Sequence, residues 1–280
     1  MSDLYAVVGN PVAHSRSPVI HAEFARQTRQ DLRYEALLAP LDGFDQAVRA
    51  FRERGGKGLN ITVPFKLEAF RLATQLSPRA QMAEAVNTLK FDGQTILGDN
   101  TDGVGLIRDI QQNLGCPIKG KRVLLMGAGG AAQGVLAPLL EEHPATLAIA
   151  NRTPQKAAAL AGHMRRQERF RSRLIDAGPY PELKGKQFDI VINATSGSLS
   201  GEVPPLPRGV FAEGGLAYDM MYGQEELAPF LQLARSEGAG RLADGIGMLV
   251  EQAAESFFLW RGVRPDTAPV ITMLRMKTEG

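Results

Sequence analysis

The chain is 280 residues long, 44 % hydrophobic and 22 % charged, ordinary globular values that point to about two domains. Its 32 basic and 30 acidic residues leave a net charge of +2, too even a balance for a dedicated nucleic-acid binder. A single cysteine, Cys116, excludes an internal disulfide framework and a cysteine-based zinc site, and no apolar stretch reaches the roughly 18 residues of a membrane span.

Tyr5–Gly9 reads as a first strand, and Ser17-Pro18 opens a helix, with Ser as N-cap and Pro in the first turn. Tyr34–Ala39 is a second strand. Asp42–Arg54 carries Phe44, Ala47, Val48 and Phe51 at helical spacing and ends at Gly55-Gly56. Gly58–Val63 is a β-branched strand stopped by Pro64, Leu67–Leu76 is helical, and Ala85–Phe91 and Gln94–Leu97 flank the hairpin signal Asp92-Gly93. Residues 106–114 read as helix, followed by the strand Arg122–Met126, a glycine cluster, a helix to about Glu142 and the strand Leu147–Ala150, which together make a βαβ unit. A helix from Pro154, strands near Leu174–Ile175, Phe188–Ala194 and Leu216–Met220, and helices over Glu225–Glu237, Met248–Arg261 and Asp266–Lys277 complete the chain. The basic run Met164–Arg173 reads as a solvated helix face. The expected fold is α/β. One α/β domain covers 1–102 and a nucleotide-type domain covers 103–244, with the C-terminal helices of 245–280 packing back on the first. No secretory leader is visible in the opening residues, so a cytoplasmic protein is expected.

Gly127-Ala128-Gly129-Gly130-Ala131-Ala132 follows a strand and opens a helix, in the pattern G-x-G-x-x-A. The first glycine makes the tight turn, the second lets a pyrophosphate approach the backbone, and the helix N-terminus faces the anion. A site for NAD places Asp or Glu about 20 residues further on, at the ribose. This chain instead has Asn151, Arg152 and Thr153, with Lys156 close behind. Arg152 suits a 2′-phosphate through charge-assisted contacts, and Thr153 suits both a helix cap and a phosphate donor. NADP(H) is therefore favoured over NAD.

Polar residues also stand where packing does not require them. Ser15 and Ser17 flank a helix start, Asn60 and Thr62 share one face of a strand by its period of two, Lys66 follows Pro64, Asn87 lies in the next strand, and Asp102 sits at the domain junction. Each alone is structural; together they suit a small ligand with a carboxylate and several hydroxyls. The four histidines show no metal-ligand spacing, and no G-x-S-x-G elbow appears.

The stretches GNPVAHSRSPVIH, GGKGLNITVPFK, AVNTL, GDNTDGVGL, VLLMGAGGAAQGVL, NRT, FDIVINATS, YDMMY and ADGIGMLVEQAAESFFLWRGVRP resemble the bacterial, NADP-dependent biosynthetic shikimate dehydrogenases nearly end to end. The resemblance implies two α/β domains, an N-terminal substrate domain closed by C-terminal helices and a Rossmann-type NADP-binding domain. It implies that Lys66 and Asp102 form the catalytic pair and that Ser15, Ser17, Asn60, Thr62, Asn87, Tyr222 and Gln252 line the substrate pocket. It implies cofactor contacts from Gly127, Ala128, Gly129, Gly130, Ala131, Asn151, Arg152, Thr153, Lys156, Met220 and Gly245, with no metal. The implied reaction is the reversible reduction of 3-dehydroshikimate to shikimate by NADPH, in the pathway to chorismate and the aromatic amino acids. The implied state is monomer or homodimer, with no nucleic-acid or membrane partner. The chain departs from the family pattern at Pro78, commonly acidic, at Glu84, where the family often has Gly, and at Gly197 between Ser196 and Ser198. A quinate/shikimate dehydrogenase of broader use and a non-catalytic ligand-sensing paralogue are the alternatives. A folate-linked methylene dehydrogenase shares the two-domain plan but not these substrate-side motifs.

Overall fold

The computed structural model describes residues 2–195, 197, 202–223 and 227–276. The chain forms two compact units, Met1–Gly105 with Leu249–Met273 and Leu106–Met248 with Leu274–Gly280.

The elements run β1 (Asp3–Gly9), α1 (Ser17–Thr28), β2 (Leu32–Leu38), α2 (Phe44–Glu53), β3 (Gly56–Ile61), α3 (Lys66–Leu72), β4 (Gln75–Leu76), α4 (Pro78–Ala83), β5 (Thr88–Asp92), β6 (Thr95–Asp99) and α5 (Asp102–Arg108). They continue with β7 (Arg122–Met126), α6 (Gly130–Glu141), β8 (Thr146–Ala150), α7 (Pro154–Arg166), β9 (Ile175–Gly178), β10 (Phe188–Asn193), β11 (Phe211–Asp219), α8 (Pro229–Ser236), β12 (Arg241–Ala243), α9 (Ile246–Arg261) and α10 (Ala268–Met276).

The first unit holds a six-stranded mixed sheet in the order β2-β1-β3-β5-β6-β4. β1 runs parallel to β2 and β3, and β5 antiparallel to β3 and β6. Its core gathers Val8, Val48, Phe51, Leu59, Ile61, Phe65 and Leu89. The α9 residues Gln252, Ser256 and Trp260 recur every fourth position and so share one face of the helix. Trp260 stacks on Tyr5 with ring centroids 4.7 Å apart and donates its indole N–H to the Leu89 carbonyl at 3.0 Å. The indole lies so close to β3 that only a glycine, Gly58, fits beneath it.

The second unit holds a fully parallel six-stranded sheet in the order β12-β11-β10-β7-β8-β9. This is the doubly wound order in which the chain starts at β7, builds outward and then reverses at β10. The reversal leaves a crevice at the carboxyl ends of β7 and β10, where ligands of such sheets bind. Both faces of the sheet are covered, which accounts for the apolar runs Val123–Met126 and Ile190–Ile192.

Several local readings change. Ser17 is the first helical residue and not the cap; Arg16 takes the N-cap position without a side-chain bond, since a guanidinium has no acceptor, and Ser15 Oγ accepts the Ser17 N–H at 3.2 Å. The helix expected over Leu67–Leu76 ends at Leu72. Thr74 N–H turns to the Ile96 carbonyl at 2.9 Å, and Gln75–Leu76 pairs with β6. The helix expected over 106–114 begins earlier, at Asp102, and continues as a π-helical turn, Asp109–Asn113. The helix read over Glu225–Glu237 is observed as α8, and residues 224–226 lie outside the described residues. Most of the basic run is exposed; Met164 and Phe170 are buried, and Gln167 and Arg173 are partly so.

Candidate active site

Pro64 ends the extended segment after β3, and α3 starts two residues later at Lys66. α5 starts at Asp102. Lys66 Nζ meets Asp102 Oδ2 at 2.5 Å, with side-chain exposures of 24 % and 9 %. A pair this short and this sheltered is held by more than surface charge attraction. Asp102 N–H donates to Asn100 Oδ1 at 3.1 Å, and Asn100 Nδ2 donates to the Ala85 carbonyl. The Val86 N–H bonds the Lys66 carbonyl at 3.0 Å, which fixes the start of α3 to the strand side.

Asn87 is buried beside this pair. Its Nδ2 donates to Asp102 Oδ1 at 2.8 Å and to Thr101 Oγ1 at 2.9 Å, and its Oδ1 accepts from Thr101 N–H at 2.9 Å. Gln252 Oε1 lies 3.4 Å from both Asn87 Nδ2 and Thr101 Oγ1. Lys66, Asp102, Asn87 and Gln252 thus gather at one point, brought there by α3, α5, the β5 edge and α9. Ser15, Ser17 and Asn60 join through a second set of bonds. Ser17 hydrogen-bonds Tyr34, whose hydroxyl donates to Asn60 Oδ1 at 2.7 Å.

Asn60 has every amide valence engaged by protein. Its Oδ1 faces Tyr34 and His21, and its Nδ2 faces Thr88 and Ser256. The shared face expected for Asn60 and Thr62 does not continue, since β3 ends at Ile61. Thr62 N–H bonds the Val8 carbonyl at 3.0 Å, and its methyl covers Gly9, where no Cβ would fit.

A salt-bridge network that sequence reasoning does not single out stands behind Asp102. Arg79 holds Asp99 at 2.6 Å and Glu255 at 2.9 Å, and Arg264 bridges Glu255 to Glu251. Asp99 Oδ1 also accepts the backbone N–H of Asn100 at 2.7 Å, which ties this network to the turn that carries Asp102. The Arg79 guanidinium holds the Asp99 carboxyl below its ordinary range, against the opposing effect of burial. Of the two departures nearby, Pro78 fits its backbone and Glu84 does not. Pro78 is the first residue of α4 behind the N-cap Ser77, and Glu84 adopts a left-handed φ of 49°. That conformation favours glycine.

In the second unit Gly127 turns sharply at φ 106°, and a Cβ there would stand 3.0 Å from the Ala194 carbonyl oxygen. Gly129 is the N-cap of α6 and Gly130 its first residue; nothing lies within 4 Å of the Cβ position of either. No side-chain cap and no first-turn acid occupies the positive end of this helix. The open glycine cradle at a helix N-terminus therefore fits a pyrophosphate. Asn151, Arg152, Thr153 and Lys156 follow β8. Asn151 Nδ2 donates to the Thr153 carbonyl at 3.0 Å. Thr153 stands at the N-cap of α7 but makes no side-chain cap bond, which leaves its hydroxyl unused for the capping role expected of it. Arg152 is exposed and pairs with Glu202 at 3.1 Å. Gly245 N–H donates to the Met221 carbonyl at 3.0 Å, and its Cα lies so close to the Met220 carbonyl that a side chain is excluded. Tyr222 follows this segment and is half-buried. Ser196 and Ser198 lie outside the described residues. Among the described residues no cluster of metal-ligating side chains occurs, and no helix is long and apolar enough to cross a membrane.

Three family descriptions match the chain: "Shikimate dehydrogenase substrate binding domain" over residues 7–89, "Shikimate / quinate 5-dehydrogenase" over 109–200 and "Shikimate 5'-dehydrogenase C-terminal domain" over 245–273. A shikimate dehydrogenase (NADP(+)) of Nitrosospira multiformis is 65 % identical over 98 % of each chain. An Ael1 enzyme from Pseudomonas putida superposes with a TM-score of 0.90 at 52 % identity, covering 98 % of both chains. A shikimate 5-dehydrogenase of Thermus thermophilus, solved with NADP(H) and shikimate, superposes with a TM-score of 0.84 at 33 % identity over 98 % of this chain and 99 % of the other. With the doubly wound sheet, the glycine cradle and the Lys66–Asp102 pair in place, these matches show that the chain belongs to the shikimate dehydrogenase family.

Proposed function

We infer that this chain is an NADP-dependent shikimate dehydrogenase in which Lys66 and Asp102 carry the proton chemistry. The observation that carries the reading is the 2.5 Å Lys66–Asp102 contact, braced by Asn87. The unit built on Met1–Gly105 with Leu249–Met273 is the substrate unit, and the doubly wound unit takes NADP(H).

NADPH, when bound, supplies the hydride that reduces the ketone of 3-dehydroshikimate. As the hydride arrives, negative charge develops on the carbonyl oxygen. The Lys66 ammonium stabilises that oxygen and gives it a proton; in shikimate oxidation Lys66 takes the hydroxyl proton back. Asp102 orients Lys66 Nζ through Oδ2, while Oδ1 is fixed by Asn87. Ser15 and Ser17, at the start of α1, bind the substrate carboxylate, and Thr62, Asn87, Tyr222 and Gln252 address its ring hydroxyls. Asn60, with its amide valences already engaged, shapes the pocket wall.

On the cofactor side, Gly127–Ala131 cradle the pyrophosphate and Asn151, Arg152, Thr153 and Lys156 take the 2′-phosphorylated ribose. Met220 and Gly245 bound the nicotinamide. The absence of an acidic residue at Asn151–Thr153 favours NADP over NAD. The protein is cytoplasmic, a monomer or homodimer, and serves aromatic amino acid biosynthesis. Initial rates by nicotinamide absorbance, with shikimate or quinate and NADP⁺ or NAD⁺, test the assignment. Turnover of shikimate with NADP⁺ far above the other combinations is the expected result. Comparable use of quinate or NAD⁺ would replace it with the broader quinate/shikimate reading.

A further inference from the structure

His21 lies in α1, fully buried, stacked on Tyr34 with ring centroids 4.2 Å apart and enclosed by Phe24, Phe257 and Trp260. None of these neighbours carries a charge. Its Nε2 lies 3.1 Å from Asn60 Oδ1, and its Nδ1 has no hydrogen-bond partner. The reaction as described above uses none of this.

The Asp102 carboxylate and the Thr101 N–H together fix which way the Asn87 amide points. Asp102 Oδ1 is an acceptor, so the Asn87 group facing it at 2.8 Å is the Nδ2 donor. Asn87 Oδ1 therefore faces Thr101 N–H and Thr88, both 2.9 Å away. Thr88 gives its single hydroxyl proton to that oxygen. Its oxygen then accepts from Asn60 Nδ2 at 3.3 Å, and Ser256 Oγ, which also reaches the Gln252 carbonyl at 3.1 Å, lies 2.7 Å away. Asn60 Oδ1 is thereby turned toward Tyr34 and His21. An oxygen that only accepts requires a donor, so His21 is protonated on Nε2 and bare on Nδ1. The empty surroundings of Nδ1 agree, because a lone pair left unmet there costs less than an unmet N–H bearing charge.

We propose that His21, held as the Nε2–H tautomer, is a positioning residue for the Lys66–Asp102 pair and acts through Asn60, Thr88 and Asn87. Together with Tyr34 it locks the Asn60 amide, and the locked amide supports the orientation, favoured also by the Thr101 N–H, in which Asn87 offers Nδ2 to Asp102. Burial holds the ring neutral, with its pKa lowered to about 3, so its single ring proton sits on Nε2 and serves the Asn60 oxygen. The proposal rests on the assignment of Lys66 and Asp102 as the reacting pair.

Three variants of the full-length enzyme test it. His21→Phe keeps the ring and removes the donor; His21→Gln restores a donor near Nε2; Thr88→Val cuts the chain two bonds from His21 with little change of shape. Expected for His21→Phe and Thr88→Val is a kcat for shikimate oxidation lower by about tenfold with KM within twofold, the signature of a misaligned pair rather than of lost binding. His21→Gln is expected to recover most of that loss. Ring ¹⁵N shifts of His21 in the wild-type enzyme should show the neutral Nε2–H tautomer from pH 8 to pH 5. An Nδ1–H tautomer, a protonated ring in that range, or unchanged kcat in Thr88→Val and in a folded His21→Phe would overturn the proposal while leaving the activity assignment in place. An inactive wild-type chain would overturn both.

Discussion

Lys66 and Asp102 are the first residues of two different helices, and their side chains meet at 2.5 Å. The positive end of α5 stabilises the Asp102 carboxylate, while the same field at the start of α3 opposes the Lys66 ammonium. The contact between the two side chains offsets that opposition.

Arg152 should set cofactor choice. Removing its guanidinium in Arg152→Ala is expected to lower kcat/KM with NADP⁺ by about 10- to 100-fold, with kcat/KM for NAD⁺ unchanged within about twofold. On that assignment Glu202, its partner at 3.1 Å, would compete with the incoming phosphate. Because both groups are exposed the pair is weak, and Glu202→Gln should improve KM for NADP⁺ by less than about threefold. Equal losses for both cofactors in Arg152→Ala would remove Arg152 from the phosphate site.

Arg79 neutralises two carboxylates, one of them the buried Asp99. Arg79→Gln strands that carboxylate and should destabilise the first unit by about 3 kcal/mol, read as a lower urea midpoint. Since Asp99 also holds the turn that carries Asp102, kcat should fall as well. A stability change below about 0.5 kcal/mol would mean that the network is no more than a surface feature.

The strands and helices of the second unit are largely legible in the sequence, because parallel strands buried on both faces read as unbroken apolar runs and Gly127–Gly130 mark the turn between β7 and α6. The elements α4 and β12, of six and three residues, span fewer than two repeats of the helical or strand period, too few to show a pattern. β4 reads as part of the preceding helix for the same reason. The polar residues of the site are visible as misfits in their segments, but their partners are not. Asn60 reads as a ligand-facing residue because a polar side chain stands between the apolar Leu59 and Ile61 of its strand. What engages its amide comes from Ser256, 196 positions away in α9, and from Tyr34 and His21. The Arg79 network is hidden for a related reason: Glu251, Glu255 and Arg264 come from the far end of the chain.

His21 should also leave a mark on stability. Its pKa in the folded chain, about 3, lies below its ordinary value of 6.5. As pH falls below 6.5 the unfolded chain takes up a proton that the folded chain refuses, so stability is lost progressively down to about pH 3. For one group the slope approaches about 1.4 kcal/mol per pH unit. Urea unfolding of wild type and His21→Gln between pH 6.5 and pH 5 should show a shallower pH dependence in the variant. Parallel curves would show that the ring titrates alike in both states.

Glu84 carries a conformational cost at φ 49°. Glu84→Gly is expected to raise stability by about 1 kcal/mol, since glycine enters the left-handed region without steric penalty. An unchanged or lower thermal midpoint would show that the glutamate side chain offsets the strain.

The division of labour between Lys66 and the rest of the pocket is tested most directly by steady-state kinetics of Lys66→Met beside wild type, in shikimate oxidation with NADP⁺. A proton-handling role gives a kcat lower by about 10²- to 10⁴-fold with KM for shikimate nearly unchanged. A large rise in KM with kcat preserved would contradict it and make Lys66 a binding residue.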